Sequence, residues 1–313
     1  MANLKELNIS EAWDCHTHSG GVDFYNMFQG NIPYTQSVDD LVKKATDVGI
    51  THIITFPFPS TSYYNPTRVD KISGLQDFPY QIENNALLKS CDFYQGRVFP
   101  FLCIDPRVKQ EEQLKQLKEF WHQKKFYGLK LHTYATKSKA TDLLRSGFSD
   151  FIASENIPLL VHSGVADPYS KPQYVLELAK EIPSVRICIA HLGRFDSDVL
   201  SQISKSKNLF TDCAPFLQLC NLTKIKSETV HRSNLIDLEN PSMSLYEYYK
   251  ILKGHLLWGT DEPWTSIVES DGSYSKRYSY EEEVDLLQNL FRISPQAVID
   301  ITSTNTKNFI FGN

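Results

Sequence analysis

Short apolar segments alternate with amphipathic segments along the whole 313-residue chain. Most of the apolar segments are continuous runs rather than strict apolar–polar alternations, which is typical of parallel strands covered on both faces. The predicted strands are EAWDCH (11–16), THIITF (51–56), RVFPFLCI (97–104), YGLKLH (127–132), IPLLVH (157–162), RICIAH (186–191), NLFTDC (208–213) and HLLWGT (255–260).

Helical periodicity occupies the intervals between these strands. After Ser37 one apolar stripe contains Val38, Leu41, Val42, Ala45 and Val48. Ser37 with Asp40 resembles a capping box, and Gly49 supplies a stop. Segments 111–121 and 172–182 follow the same pattern. Eight strands alternating with helices predict an α/β fold of the (β/α)8 TIM-barrel type, with a doubly wound open sheet as the alternative.

The composition is that of one ordinary globular domain. Hydrophobic residues make up 41% of the chain and charged residues 22%. Because the sequence contains neither a linker-like stretch nor a short repeat, we expect a single domain over residues 1–313. The segments 214–254 and 262–280 follow the last two strands and are long. In a barrel, such segments build the site at the carboxyl ends of the strands.

Charge and hydropathy exclude several classes of function. The net charge of −5, without a basic stripe, argues against a nucleic-acid surface. The sequence has no apolar run long enough to span a membrane, and its first residues lack the apolar core of a signal peptide. The six cysteines form no C-x-x-C pair. We therefore expect a reduced, cytoplasmic protein.

Polar side chains that suit chemistry recur where the predicted strands end. They are His16 and His18 at the first strand, Lys130 and His132 at the fourth, His162 at the fifth, His191 at the sixth, and Asp261 after the eighth. A parallel barrel brings these strand ends together on one rim. The pattern therefore predicts one polar site at that rim.

The H-x-H spacing suggests how the first pair is used. Alternation along a strand predicts that His16 and His18 point into the barrel mouth while Cys15 faces the helices. Together with His162 and Asp261 they would offer three imidazoles and one carboxylate, which suit zinc. The same donors also admit Mn, Fe or Ni.

The order of these motifs resembles that of a known family. The sequence contains DCHTH (14–18), GLKLH (128–132), VHSG (161–164), AHLGR (190–194) and GTDEPW (259–264). It resembles the amidohydrolase superfamily of metal-dependent TIM-barrel enzymes, and within it the amidohydrolase 2 branch. That branch includes hydrolases, lactonases, hydratases and decarboxylases such as aminocarboxymuconate-semialdehyde decarboxylase. The resemblance implies that His16, His18, His162 and Asp261 are metal ligands.

Two of these positions are also expected to be catalytic. The resemblance implies that His191 acts on the substrate when one metal is bound; the alternative is a hydrogen-bonded residue behind the ligands. Asp261 is expected to bind the metal and to accept a proton from the attacking water, and the alternative is a helix N-cap.

Other polar residues at the rim have two interpretations each. In binuclear members of the superfamily a carbamylated lysine bridges two metals, and Lys130 occupies that position. We expect instead an unmodified lysine that balances carboxylates or contacts an acidic substrate, and hence one divalent metal, zinc first. His132 is expected to line the pocket. Arg194 either binds a substrate carboxylate or forms a surface ion pair. Glu262 and Trp264 are pocket candidates because they adjoin the motif.

The function expected from these residues is metal-dependent hydrolysis of a small carboxylic amide, ester or lactone by activated water. The alternative is a non-oxidative, metal-dependent decarboxylase with the same ligands. A binding protein on a degenerate barrel would have lost ligands, and all four are present. A homodimer is left open as the oligomeric state.

Overall fold

The computed structural model describes residues 3–20, 28–29, 32–33, 36–57, 77–225, 228–268 and 274–312. Its centre is a sheet of eight parallel strands that neighbour one another in chain order and form a nearly closed barrel. The strands are β1 (Trp13–His18), β2 (His52–Phe56), β3 (Val98–Ile104), β4 (Gly128–Leu131), β5 (Leu159–Val161), β6 (Ile187–Ile189), β7 (Leu209–Asp212) and β8 (Leu256–Leu257). The predicted TIM barrel is confirmed. The doubly wound alternative is wrong, because it would reverse the strand order partway across the sheet.

Helices follow the strands and cover the outer face of the barrel. They are α1 (Val38–Val48), α2 (Gln81–Cys91), α3 (Gln110–His122), α4 (Thr133–Thr136), α5 (Phe148–Glu155), α6 (Pro172–Glu181), α7 (Ser197–Ile203), α8 (Phe216–Ile225), α9 (Pro241–Leu252), α10 (Tyr280–Ile293), α11 (Pro295–Ile299) and α12 (Asn305–Phe311). Short 3-10 turns span Leu4–Leu7, Asp92–Tyr94, Ala140–Arg145, His191–Phe195 and Lys253–His255, and a π-helical turn spans Asp300–Thr304. The predicted start of α1 is confirmed: Ser37 accepts a hydrogen bond from the Asp40 amide, and Gly49 ends the helix with φ 88°.

The hydrophobic core has two layers separated by the sheet. Ile54, Phe101 and Leu160 belong to the layer inside the barrel. The outer layer joins the opposite faces of the same strands to the helices. The inner layer includes Phe309 of α12, at the end where the strands begin: Arg186, just before β6, donates to its carbonyl oxygen at 2.7 Å. The carboxyl end of the barrel is therefore the end open to a site.

Within the described residues, two short antiparallel strand pairs lie outside the barrel sheet. One pairs Phe28–Gln29 with Ile32–Pro33, and the other pairs Ser266–Val268 with Tyr274–Arg277. The second lies within the long segment after β8, of which residues 269–273 are outside the described residues. Over the described ranges, no helix combines the length and apolarity needed to cross a membrane.

Strand β1 departs from regular alternation, and this corrects one prediction. Between the paired positions Asp14 and Thr17 the register shifts, so that Cys15 and His16 both stand opposite Ile54. A bulge of this kind turns two successive side chains toward the same side of a strand. Cys15 packs with Ile54 in the inner layer. The expectation that Cys15 faces the helices is therefore wrong.

Candidate metal centre

Three of the predicted ligands meet where the first and last strands approach each other. Nε2 of His16 and Nε2 of His18 each lie 3.2 Å from Oδ1 of Asp261. The Asp261 amide donates to the His16 carbonyl at 2.7 Å, and Asp261 has a left-handed backbone with φ 58°. Gly259 is needed here, because a Cβ at this position would lie 2.8 Å from Cβ of His16. The backbone thus brings two imidazoles and one carboxylate together.

A second carboxylate, which the sequence analysis missed, orients His16. Oδ2 of Asp212 lies 2.9 Å from Nδ1 of His16. Burial opposes ionisation of Asp212, but His16 outweighs it and holds the carboxyl pKa at about 2. A signal was present in the sequence, since Asp212 ends β7 as the other polar residues end their strands. Metal-binding histidines commonly donate their second ring N–H to such a carboxylate.

The protonation of His16 follows from its two carboxylate neighbours. Burial and Lys130 lower its pKa, but Asp212 and Asp261 outweigh them and raise it overall. The two carboxylates therefore favour a proton on the His16 ring. A divalent metal would take the place of that proton, since binding to imidazole requires the neutral ring. The donors present fit a metal ion: imidazole nitrogens, one carboxylate oxygen and a carboxylate behind the ring.

Lys130 is buried within the same group. Its Nζ lies 3.2 Å from Nε2 of His16 and 4.3 Å from the centre of the Phe56 ring. Burial lowers the pKa of the ammonium to about 8, against the opposing effect of Asp261. The lysine is thus placed to contact a metal, a substrate anion or a carboxylate.

His162 and His191 form a hydrogen-bonded pair whose tautomers can be deduced. Nδ1 of His191 lies 2.5 Å from the carbonyl oxygen of Ala214, which can only accept, so Nδ1 carries the proton. Burial and Arg194 lower the His191 pKa to about 3, so the ring is neutral and Nε2 is an acceptor. Nδ1 of His162, 3.0 Å from that Nε2, must then donate. Nε2 of His162 is left with the lone pair that a metal ligand needs.

The remaining imidazole contacts place the other predicted residues around this pair. His132 stacks on His162 with ring centres 4.4 Å apart, and burial holds the pKa of both rings well below the usual range. The rings of His16 and His191 lie 5.1 Å apart. His132 therefore lies directly against His162.

The tightest donor cluster differs in part from the predicted ligand set. Over the described part of the chain, one cluster of His, Cys, Asp and Glu has ligand atoms all within 4.8 Å of one another: His16, His191 and Asp261. His18 adjoins it through Asp261, and His162 adjoins it through His191. All four predicted ligands thus reach one site, but His162 lies one contact further out.

His191 and Arg194 lie on a turn with unusual backbone geometry. Every residue from His191 to Phe195 has a positive φ, between 50° and 64°. A left-handed conformation costs about 1–2 kcal/mol for each residue with a side chain. The His191 amide donates to Oδ1 of Asp212 at 3.0 Å, and Nε of Arg194 donates to the Ser163 carbonyl at 2.9 Å. These bonds hold the strained turn, a feature that clusters at functional sites.

Arg194 is half-buried on this turn. Burial lowers its pKa to about 10, so it stays charged at neutral pH. The pKa of Arg194 also responds to Asp261 and Asp212, so the guanidinium lies within electrostatic reach of the site. Nothing in the described ranges pairs it with a surface carboxylate in an ion pair.

An amidohydrolase family model matches residues 13–305. The chain belongs to the amidohydrolase family. The match runs from β1 to the first residue of α12 and therefore includes every residue of the candidate metal centre. Among proteins of curated function, none matches the sequence.

Solved structures with the same fold include both hydrolases and decarboxylases. A probable 2-pyrone-4,6-dicarboxylic acid hydrolase from Acinetobacter baumannii, with citric acid bound, is 18% identical over 97% of this chain and 100% of its own, with a TM-score of 0.60. A 5-carboxyvanillate decarboxylase from Novosphingobium aromaticivorans, with manganese and 4-hydroxy-3-methoxy-5-nitrobenzoic acid, is 10% identical over 99% and 97%, with a TM-score of 0.67. The Sphingomonas paucimobilis decarboxylase of the same name is 9% identical over 96% and 98%, with a TM-score of 0.65. At these identities the similarity shows the fold.

Proposed function

We propose that this amidohydrolase is a metal-dependent hydrolase of a small carboxylic amide, ester or lactone. The observation that carries the proposal is the approach of two imidazole nitrogens, from His16 and His18, to one oxygen of Asp261 at 3.2 Å each. Two histidines and a carboxylate are a common set of protein ligands for a catalytic metal.

The proposed ligands are His16, His18, His162 and Asp261, holding one divalent ion, zinc first. The lone pair on Nε2 of His162 supports its inclusion. His191 is left out because its Nε2 already accepts a hydrogen bond from His162. Manganese, iron and nickel accept the same donors. Lys130, with a pKa near 8, would join the ligands only as a carbamate bridging two ions.

A bound divalent metal supplies Lewis acidity and lowers the pKa of water from 15.7 to about 7. Asp261 is proposed to take the proton from the attacking water, because its carboxylate lies beside the ligand nitrogens and is ionised. Burial opposes that ionisation, but His16 and His18 outweigh it. Asp261 then passes the proton to the leaving group. His191 is proposed to act on the substrate through Nε2, which requires that the hydrogen bond from Nδ1 of His162 to that nitrogen is broken.

Three cationic or polar side chains are proposed to bind the substrate. The planar fork of Arg194 suits a carboxylate, which it binds through two parallel hydrogen bonds. His132 lines the pocket beside His162, and Lys130 adds positive charge close to the scissile bond. The substrate is thus expected to carry an acidic group in addition to the bond that is cleaved.

The same proposal treats residues 1–313 as one catalytic domain. We propose that it works in the cytoplasm on a small molecule, and we leave open whether it forms a homodimer. All six cysteines are buried and free of disulfides, which suits a reducing compartment. Sedimentation of the full chain would determine the oligomeric state.

Metal analysis followed by a substrate panel tests the proposed function. Protein purified without added metal should still contain about one divalent ion per chain. The panel should contain amides, esters and lactones with and without a carboxylate, and should record hydrolysis and CO2 release separately. CO2 release without hydrolysis would identify the alternative, a decarboxylase. Two ions per chain with extra mass on Lys130 would identify a carbamate-bridged pair, and absence of metal under every loading condition would refute the proposal.

A further inference from the structure

Three of the proposed ligands lie on the line where the barrel closes. The strand ladders run from β1 to β8 in order, and β1 meets the segment after β8 through individual hydrogen bonds. The Cys15 amide donates to the Trp258 carbonyl at 3.1 Å, and the His18 amide donates to the Glu262 carbonyl at 2.7 Å. The separation of His16 and His18 from Asp261 therefore depends on how this junction is held.

A closed ring of hydrogen bonds surrounds the backbone of His18 at this junction. The His18 amide donates to the Glu262 carbonyl at 2.7 Å, and the His18 carbonyl accepts from Nε2 of Gln36 at 3.2 Å. Nζ of Lys44 completes the ring, since it donates to Oε1 of Gln36 at 2.9 Å and to Oε1 of Glu262 at 2.5 Å. Both peptide groups that flank the His18 side chain are thus tied to one ammonium group.

The burial of the ring members shows why the ammonium matters. Gln36 is 5% exposed and Glu262 is 1% exposed. The Lys44 side chain is 35% exposed and comes from α1, outside the barrel. A buried carboxylate requires a cation or strong donors to remain charged. Lys44 therefore connects three separate elements: helix α1, strand β1 and the segment that carries Asp261.

We propose that Lys44 is a positioning residue for the metal centre, holding His18 and Asp261 at the separation that a metal requires. Lys44 acts through the Glu262 and Gln36 side chains on the His18 backbone. This inference rests on the proposed metal centre. Residues behind metal ligands typically change metal affinity by about 10–100-fold when substituted.

The test compares Lys44→Met with Lys43→Met in the full chain. Lys43 is the adjacent residue on α1, its side chain is 76% exposed, and it pairs with exposed Asp47. The dissociation constant for Co²⁺ is measured by chelator competition, together with the visible spectrum of the Co²⁺ protein and the Tm of the metal-free protein. Lys44→Met should weaken Co²⁺ binding about 10–100-fold and alter the ligand-field bands. Lys43→Met should bind as the wild type does.

Two further variants separate positioning from general destabilisation. Lys44→Arg retains a cation that can donate to two acceptors, and should retain most of the affinity. The double variant Lys44→Met with Glu262→Gln also removes the buried negative charge that Lys44 balances, so its Tm should recover while Co²⁺ binding stays weak. Recovery of affinity together with Tm would mean that Lys44 only stabilises the fold, and would overturn the inference.

The failure of this inference is distinguishable from failure of the proposed function. Wild-type protein that binds Co²⁺ together with a Lys44→Met variant of equal affinity and spectrum would refute the role of Lys44 and leave the metal centre intact. Wild-type protein that binds no Co²⁺ would refute the metal centre and the role of Lys44 with it.

Discussion

Nδ1 of His16 and Oδ2 of Asp212 lie 2.9 Å apart, although the two residues are 196 positions apart in the sequence. The same carboxylate accepts through Oδ1 from the amides of His191, at 3.0 Å, and Ala214, at 3.1 Å. Asp212 thus fixes both the ring of His16 and the start of the left-handed turn. Its two oxygens have different partners: Oδ2 faces the His16 ring, and Oδ1 accepts from two backbone amides. A substitution that replaces one of the two oxygens therefore changes one set of contacts.

Asp212→Asn should weaken metal binding about 10–100-fold, as expected of a residue behind a ligand. The amide oxygen would stay with the two backbone N–H groups, so its NH2 group would face Nδ1 of His16. That nitrogen would have to accept, which moves the ring proton to Nε2, where the metal binds. Metal affinity measured by chelator competition tests this, with exposed Asp198→Asn as the control. Unchanged affinity in Asp212→Asn would show that Asp212 does not set the His16 tautomer.

Asp261→Asn should separate binding from chemistry. The amide oxygen can still face the metal, but the side chain cannot accept a proton. We expect kcat to fall by about 10²–10⁴-fold, the usual contribution of general-base catalysis, with a smaller change in KM. The acidic limb of the wild-type pH profile, which belongs to the coupled metal–water–Asp261 group, should shift or vanish. Near-normal kcat in metal-loaded protein would leave Asp261 only a ligand and make His191 the first candidate for proton transfer.

His16→Ala and His18→Ala should each lose metal and activity together, because each removes a proposed ligand. Cys15→Ser should keep the metal, although Cys15 lies inside the barrel. The serine hydroxyl would be buried in an apolar layer and should cost about 1–3 kcal/mol of unfolding free energy. Metal content and urea unfolding of the three variants check this. Loss of metal in Cys15→Ser would mean that the bulge of β1 places its thiol in the site.

Arg194→Met should raise KM for carboxylate-bearing substrates about 10–100-fold, because hydrogen bonds to charged groups contribute about 1.5–3 kcal/mol. Methyl esters of the same acids, which lack the charge, should be turned over with little change between variant and wild type. Steady-state kinetics on such matched pairs measures the difference. An equal effect on acid and ester would show that Arg194 supports the turn and does not bind the carboxylate.

Glu283 on α10 should make stability depend on pH. Burial raises its pKa from 4.5 to about 8, although the Leu217 amide donates to it. The folded protein therefore retains a proton that the unfolded chain releases first, so unfolding free energy falls as pH rises from 4.5 toward 8. Glu283→Gln should remove this fall, leaving a flatter profile in urea unfolding, whereas Glu281→Gln should follow the wild type. Parallel profiles for Glu283→Gln and wild type would contradict the raised pKa.

The alternation of eight strands with helices, and the position of His16, His18 and Asp261 at strand ends, were determined by the sequence alone. The choice of a barrel over a doubly wound sheet was decided by the strand order in the structure. Continuous apolar runs between amphipathic segments leave few parallel folds, and a parallel barrel gathers strand ends on one rim. These features depend on residues close together in the chain, so periodicity reveals them.

Only the tertiary structure decided which neighbours each rim residue has. The bulge that turns Cys15 inward, the carboxylate of Asp212 behind His16, and the ring through Lys44 all join residues from different elements. The tautomer of His162 likewise follows from His191 and the Ala214 carbonyl. Such contacts are set by strand register and loop geometry after the barrel closes. Local periodicity is the same whichever distant residues become neighbours, so it cannot specify them.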